Sequence, residues 1–320
     1  MNFNNDIFTI DPAQETDRTC KFVEEQVKGQ FRRTGIVVGL SGGIDSAVMA
    51  EIAVRALGKD NVYGLILPEK ESNPVSSRYA SEHAEKLDIA YEEIDITPTV
   101  ESIVSYKRRD EFIKDLVPEY SPECKYNISL PTDLLERDSF SVYVLQVQLL
   151  DGTVKKKRLK AEAFRTITSF ANIKIRSRMI HLYAEAERRN CIVAGTTNRT
   201  ELILGDFCKY GDGGTDIEPL AHLYKNQVYQ LAHYFEVTPE IINRSPSPDT
   251  FSLPVSDQEF FFRIPFDKLD FLLFAWEHKI SASETAGVTG LSEEAVKRAF
   301  IDFTTKNRAT EHLRELPHAL

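Results

Sequence analysis

The run Leu40-Ser41-Gly42-Gly43-Ile44-Asp45-Ser46 lies between an apolar β-branched segment, Gly35 to Leu40, and a segment from Asp45 to Leu57 that is apolar almost all round. Two adjacent glycines let a backbone approach a ligand closely and take conformations closed to other residues. The amides of such a turn and the start of the following helix make an anion site, to which Ser41 and Ser46 add hydroxyl donors. Phosphate binding is the chemistry this predicts. No lysine stands where a Walker loop needs one and no GxGxxG is present, so neither of those nucleotide sites is indicated. Asp45 adds a carboxylate beside the phosphates, which is unfavourable unless a magnesium ion lies between them. Taken alone, a Gly-Gly turn capped by Asp45 and Ser46 could simply start a helix.

A second set of residues follows the apolar run Cys191 to Ala194. Glu201 falls on a loop or first helical turn after that strand end, where it could join Asp45 in holding magnesium or serve only as a helix-start charge. Lys209 and Lys225 flank a glycine-rich loop and could neutralise an anionic substrate and the charge that builds on an attacked phosphate; lone lysines are more often surface groups. In Gly211-Asp212-Gly213-Gly214-Thr215-Asp216, turn formation is a sufficient account of Asp212. Asn172 and Arg176 are four apart and share a helix face, so they can point at one ligand; the alternative is an exposed basic face with Lys174 and Arg178.

The elements that must position these residues read as an α/β fold. After a helix from Asp17 to Lys28 come the strand Gly35 to Leu40, the helix Asp45 to Leu57, the strand Val62 to Leu67, the helix Val75 to Leu87 and the strand Tyr91 to Ile96. That alternation predicts a doubly wound, mostly parallel sheet with helices on both faces. From about residue 105 to 160 the rhythm breaks at Pro118, Pro122 and Pro131. Asp151-Gly152 between the runs Val142 to Leu150 and Thr153 to Leu159 predicts a hairpin within an insertion. The run Lys155 to Arg158 suits a solvated edge that resists aggregation, or a binding role. A helix from Phe170 to Arg189 and the strand Cys191 to Ala194 resume the parallel order, and the loop at Gly195 leaves a strand's C-terminal end, where such folds bind ligands. Helices are predicted over Tyr224 to Phe235, Pro239 to Asn243, Asp267 to Glu277 and Ser292 to Thr305, the last two in a helical extension over 265–320.

The 320 residues carry 39 Lys plus Arg against 49 Asp plus Glu, a formal charge of −10 that should repel nucleic acid and anionic membrane, so any phosphate site must be local. Four cysteines without a CxxC pair and seven histidines without HxxxH spacing give a zinc or iron-sulfur centre little support, and reduced core cysteines are expected. No basic start with an apolar core marks a secretory signal, and no stretch is long and apolar enough to span a membrane, so a cytoplasmic protein is expected.

The Ser41 to Ser46 run resembles the SGGxDS loop of the ATP pyrophosphatase, or PP-loop, superfamily, in which the loop holds the pyrophosphate part of ATP while AMP is attached to a substrate oxygen. The later runs Ala194 to Glu201, Lys209 to Ile217, Pro219-Leu220 and Tyr224-Lys225 resemble the successive signatures of the NAD synthetase family. Ala171 to Lys174 with Arg176 and Arg178, Ser256 to Glu259, and Leu269-Asp270 are similar to its helix and C-terminal motifs. The resemblance implies one PP-loop synthetase domain over 1–320, with ATP as co-substrate and Mg2+ held by Asp45 and Glu201. It implies ATP contacts at Ser41, Gly42, Gly43, Asp45, Ser46 and Thr196, and substrate contacts at Asn172, Arg176, Lys209, Asp216, Lys225 and Ser247, with Asp45, Glu201, Lys209 and Lys225 as the catalytic set. The implied reaction amidates deamido-NAD through an acyl adenylate. About 40 residues before the first strand cannot form a glutaminase domain, so free ammonia, or ammonia from a separate glutaminase, is expected. A homodimer is implied as well.

Some positions depart from the family pattern. Ile175 stands where a small residue is common, Leu313 replaces the lysine of a C-terminal His-Lys-Arg, and Phe251 to Val255 replaces a segment with tryptophan and Gly-Gln. These departures and the insertion leave open an enzyme that adenylates a different carboxylate. Ser281 to Phe300 reads as helix, glycine turn, helix, but Glu293, Glu294 and Asp302 offset Lys297 and Arg298, which argues against a DNA-binding helix.

Overall fold

The computed structural model describes residues 3–4, 6–103, 106–138 and 141–319. Met1, Ser105 and Leu320, at the bounds of the expected domain and insertion, lie outside the described residues. In chain order the first half comprises α1 (Pro12–Glu24), β1 (Gly35–Gly39), α2 (Ile44–Leu57), β2 (Val62–Ile66), α3 (Pro74–Lys86), β3 (Ala90–Glu93), α4 (Thr97–Ile103) and α5 (Tyr106–Leu116). Three strands follow, β4 (Lys125–Ser129), β5 (Val144–Gln148) and β6 (Val154–Arg158), and then α6 (Ala161–Arg189) and β7 (Cys191–Ala194). The remainder is helical: α7 (Arg199–Leu204), α8 (Lys225–Tyr234), α9 (Pro239–Ile242), α10 (Phe266–Glu277), α11 (Ala282–Thr289), α12 (Glu293–Ala309) and α13 (Glu311–Arg314).

β1 pairs in parallel with β2 on one side and β7 on the other, and β2 pairs with β3, giving the order β3-β2-β1-β7. The pleat sends Ile36 and Val38 into a core under α2 and α8, and Val37 into one with Leu182, Tyr183 and Ala186 of α6. Both faces of the sheet are therefore covered, as the doubly wound reading requires. α2 is buried almost throughout because it is wedged between the sheet and helices α1 and α8. The chain moves outward from β1 to β3 and returns to β7 on the far side of β1. The strand order thus reverses between β1 and β7, the switch point at which folds of this kind bind ligands.

Several boundaries differ from those predicted. The first helix begins at Pro12, capped by Asp11, whose side chain accepts from the amides of Ala13 and Gln14. β3 stops at Glu93. A helix not predicted, α4, precedes the stretch read as an insertion, a second, α5, opens it, and β4 adds a third strand, antiparallel to β5, which pairs in turn with β6. α6 starts at Ala161 rather than Phe170: its first turns, with Ile167 and Ala171, support this second sheet through a core shared with Ile113, Tyr126, Leu145 and Phe251. The periodicity of Ala161 to Ser169 serves a different core from the rest of the helix, so a single apolar stripe does not reveal it. α10 and α12 pack with Phe3 and Phe8 in a further core, where Val296, Ala299 and Phe303 are buried. All four cysteines are free; Cys124 and Cys208 are buried, whereas Cys20 and Cys191 are only partly so, against the expectation of four core residues. Among the described residues no helix is long and apolar enough to cross a membrane.

Candidate active site

The Ser41 to Ser46 turn lies at the C-terminal end of β1 and opens directly into α2. Gly42 has φ +70°, and a Cβ there would come within 2.3 Å of the Ser76 carbonyl oxygen, so both backbone conformation and space require glycine. Gly43 is the N-cap of α2 and offers no side-chain cap, while its own amide donates to Ser41 Oγ at 3.2 Å. The helix start consequently keeps amides available to an anion. The two serines hold the turn in shape: the Ser41 amide donates to Ser46 Oγ at 3.2 Å, the hydroxyls lie 3.1 Å apart, and Ser46 Oγ donates to the Gly43 carbonyl at 2.9 Å.

Asp45 projects from the first turn of α2 toward the loop after β7. Its Oδ1 accepts from Asn198 Nδ2 at 3.0 Å, and its Oδ2 accepts from Lys225 Nζ. The same ammonium lies 3.3 Å from Glu201 Oε1. Asn198 and Glu201 form a reciprocal capping box on α7: the Glu201 amide donates to Asn198 Oδ1 and the Asn198 amide to Glu201 Oε2. Behind them Thr200 Oγ1 donates to Asp270 Oδ1 at 2.6 Å and accepts from the Lys225 amide, while Asp270 Oδ2 accepts from the Asn226 amide. One buried carboxylate on α10 thereby fixes the starts of both α7 and α8.

Charge at this point is unbalanced. Burial pushes the Glu201 carboxyl up to about 8, Asp45 adding to the rise and Lys225 opposing it. Burial likewise lifts Asp257 to about 6, against Lys225. Asp206 is raised by burial and by Asp257 and Glu201. Burial works against the Lys225 ammonium, but Asp45 and Glu201 more than reverse this and keep it charged. Asp45 and Glu201 thus pair with one lysine whose charge Asp257 also feels, a surplus of negative charge that suits a further cation. Among the described residues no three His, Cys, Asp or Glu side chains are grouped to hold a metal alone. Asp45 and Glu201 together offer the oxygen-only pair that magnesium takes when phosphate oxygens and water complete its shell.

The other predicted residues separate into groups. Thr196 follows Gly195 at the end of β7 and is partly buried, next to this cluster in sequence. Arg176 donates through Nε and Nη2 to the Lys209 carbonyl, while Lys209 Nζ donates to the carbonyls of His312 and Glu315 at 2.8 and 2.7 Å. These two form a second group with the C-terminal tail, outside the Asp45 cluster, and Asn172 lies one turn before Arg176 on α6. Asp216 Oδ2 accepts from the Val193 amide and so closes the edge of β7. Asp212 Oδ1 accepts from the Cys208 amide at 2.7 Å, the turn role open to it from sequence. Ser247 lines an 830 Å³ cleft bounded by Glu71 to Pro74, Pro122 to Lys125 and the 244–259 segment.

Among the residues of the site not singled out from sequence are Asn198, Glu218 and Arg244. Asn198 stands three before Glu201, and that capping-box spacing was legible. Glu218 was not: its carboxylate accepts from Thr197 N and Thr215 Oγ1 and occupies the space beside Gly195, where a Cβ would meet it at 2.3 Å. Burial pushes it up to about 7. Arg244 touches the Ser41 to Ser46 turn from about 200 residues away, and no local pattern marks it.

Comparison with known proteins adds to this geometry. The sequence signature described as NAD synthase matches residues 15–122 and 137–317. The chain is 40% identical over 311 residues to a protein of Mesorhizobium japonicum named NH(3)-dependent NAD(+) synthetase, covering 97% of each. It is 36% identical over 265 residues to one of the same name from Thermotoga maritima, covering 82% of this chain and 87% of the other. An NH3-dependent NAD synthetase from Campylobacter jejuni superposes with a TM-score of 0.62 at 25% identity, covering 97% of this chain and 100% of that one. An NMN synthetase from Francisella tularensis shares the fold, with a TM-score of 0.68 at 24% identity, covering 97% and 99%.

Proposed function

Because the chain belongs to the NAD synthase family, we infer that it is a carbon–nitrogen ligase that uses ATP and ammonia to amidate deamido-NAD to NAD, releasing AMP and pyrophosphate. The relatives do not favour the alternative of a different carboxylate. The observation that carries the reading at the level of the site is the meeting of Asp45, Glu201 and Lys225, from three distant segments, beside the Ser41 to Ser46 turn.

Amide formation from a free carboxylate is uphill because hydroxide leaves poorly. In the first step a carboxylate oxygen of the pyridine ring bonds to the α-phosphorus of ATP, and the bond to the bridging oxygen breaks with its electron pair going to pyrophosphate. Ammonia then attacks the acyl carbon and expels AMP. The Ser41 to Ser46 turn, through its amides, its hydroxyls and the start of α2, holds the outer phosphates, with Thr196 against the nucleotide. Lys225 brings a fixed positive charge, positioned by the two carboxylates before substrate arrives. The carboxylates of Asp45 and Glu201 would hold magnesium, which when bound would neutralise the β- and γ-phosphates and the departing pyrophosphate. Asn172, Arg176, Lys209, Asp216 and Ser247 serve the deamido-NAD side, Lys209 by tethering the C-terminal tail and Asp216 by fixing the end of β7. We place the enzyme in the cytoplasm as a homodimer, with free ammonia or a separate glutaminase as nitrogen source and the segment over 105–160 as an insertion in one synthetase domain.

The test is incubation with ATP, magnesium and ammonium, with deamido-NAD added or omitted, while AMP and NAD are measured. Both products should appear only with deamido-NAD present. AMP formed with another carboxylate and not with deamido-NAD would overturn the reading, and sedimentation at assay concentration checks the dimer.

A further inference from the structure

We propose that Arg244 is a further residue of this reaction, a cation that binds the outer phosphates of ATP and receives the pyrophosphate as it leaves. The proposal rests on the PP-loop reading above and deepens it.

Arg244 follows α9 and reaches back to the phosphate turn. Its Nη1 donates to the Gly42 carbonyl at 3.3 Å and its Nη2 to Ser76 Oγ at 2.8 Å. Ser76 Oγ donates in turn to Asp249 Oδ2 at 3.0 Å, and Asp249 Oδ1 accepts from the Asn73 amide at 3.2 Å. The guanidinium is therefore oriented by a chain of contacts that starts on α3. It also lines the 830 Å³ cleft, together with Ser247. A guanidinium has five N–H donors and keeps its charge, and only two of the five have partners in the contacts just described. The bond to Gly42 is long and readily exchanged for a phosphate oxygen.

Charge accounting gives this placement its meaning. The donors of the turn are amides and hydroxyls, which are neutral, its Asp45 is an anion, and Lys225 is already engaged with Asp45 and Glu201. As the bond between the α-phosphorus and the bridging oxygen breaks, its electron pair moves onto a pyrophosphate already rich in charge. Arg244 is positioned to meet that charge with parallel N–H donors, the geometry in which guanidinium binds phosphate most strongly. AMP departs with the other half of the nucleotide and does not need this contact.

Calorimetric binding of inorganic pyrophosphate and of AMP to the full chain, as wild type, Arg244→Ala and Arg244→Lys, tests the proposal without requiring turnover. Arg244→Ala should weaken pyrophosphate binding about ten-fold, equivalent to about 1.4 kcal/mol. It should leave AMP within about two-fold, and Arg244→Lys should fall between. Unchanged pyrophosphate affinity in Arg244→Ala overturns the proposal, and so does an equal loss for AMP, which would make Arg244 only a prop for the turn. A protein that forms no NAD yet loses pyrophosphate binding in Arg244→Ala would sink the amidation reading and leave this site standing.

Discussion

Two buried groups of charges, one beside the loop after β2 and one at the Ser41 to Ser46 turn, are built on opposite terms. Where α5 and α6 meet the loop after β2, Lys174 Nζ donates to Glu69 Oε1 at 2.8 Å, Glu71 Oε2 at 2.6 Å and the Thr250 carbonyl at 3.0 Å. Arg109 binds both oxygens of Glu71 and also Asp110, and the hydroxyls of Tyr106 and Tyr120 donate to Glu69 and Asp110. Burial would raise the Glu71 carboxyl, but Lys174 and Arg109 outweigh it and hold it below the usual range. Here three carboxylates share two cations and two hydroxyl donors. At the Ser41 to Ser46 turn Asp45 and Glu201 both pair with Lys225, Asp257 feels the same ammonium, and burial drives Glu201 the other way. A closed ion network holds architecture together, whereas an open one is poised for a ligand that brings the missing charge.

Breaking the closed side should have the largest effect. Lys174→Met leaves Glu69 and Glu71 without their shared ammonium, and a loss of about 3–5 kcal/mol is expected. Thermal melting should show it as a drop of several degrees or more. A melt within about 1 °C of wild type would mean that this network is not structural.

The open side should respond in rate and not in fold. Asp45→Ala and Glu201→Ala should each slow AMP release by about 100-fold or more, as loss of a transition-state charge contact does. Circular dichroism and melting should stay close to wild type, because the removed carboxylates belong to a surplus. Normal turnover in either variant would contradict the metal and lysine roles given to them.

Thr200→Val sharpens the contrast, since it touches only the scaffold behind the open cluster. It leaves Asp270 short of a hydroxyl donor and the Lys225 amide without its acceptor, at a cost of about 1–3 kcal/mol. Denaturant titration should find that loss, and the rate should fall far less than in Asp45→Ala.

Glu218 supplies an intermediate case and the smallest effect. Its folded pKa, about 7, lies above the ordinary value of 4.5, so the folded state holds the proton more tightly. The stability it contributes is full below about pH 4.5 and is lost as pH rises through 7. Glu218→Gln should remove that slope, with a gain over wild type that grows as pH rises from 5 to 8. Parallel wild-type and variant melts across pH 5 to 8 would count against the assignment.

Much of the site was legible because its parts are local. The glycines and serines of the phosphate turn act within six residues, and Asn198 caps α7 within three of Glu201. The alternation from β1 to β3 marked a parallel sheet because each strand and helix shows its own period. The antiparallel pairing of β5 and β6 around Asp151-Gly152 was equally local. Boundaries were less legible where one element serves two cores, as α6 does.

Residue types and spacing by themselves pointed to a phosphate site at the Ser41 to Ser46 turn and determined the order of the sheet's elements and the carboxylates and lysines to watch, since each depends on neighbours along the chain. Only the tertiary structure decided that Lys225 is divided between Asp45 and Glu201 while Lys209 turns to the C-terminal tail, that Arg244 leans on Gly42, and that Glu218 fills the space beside Gly195. Charge pairing and desolvation depend on distances of a few ångströms between residues far apart in sequence, and the folded chain alone sets those distances.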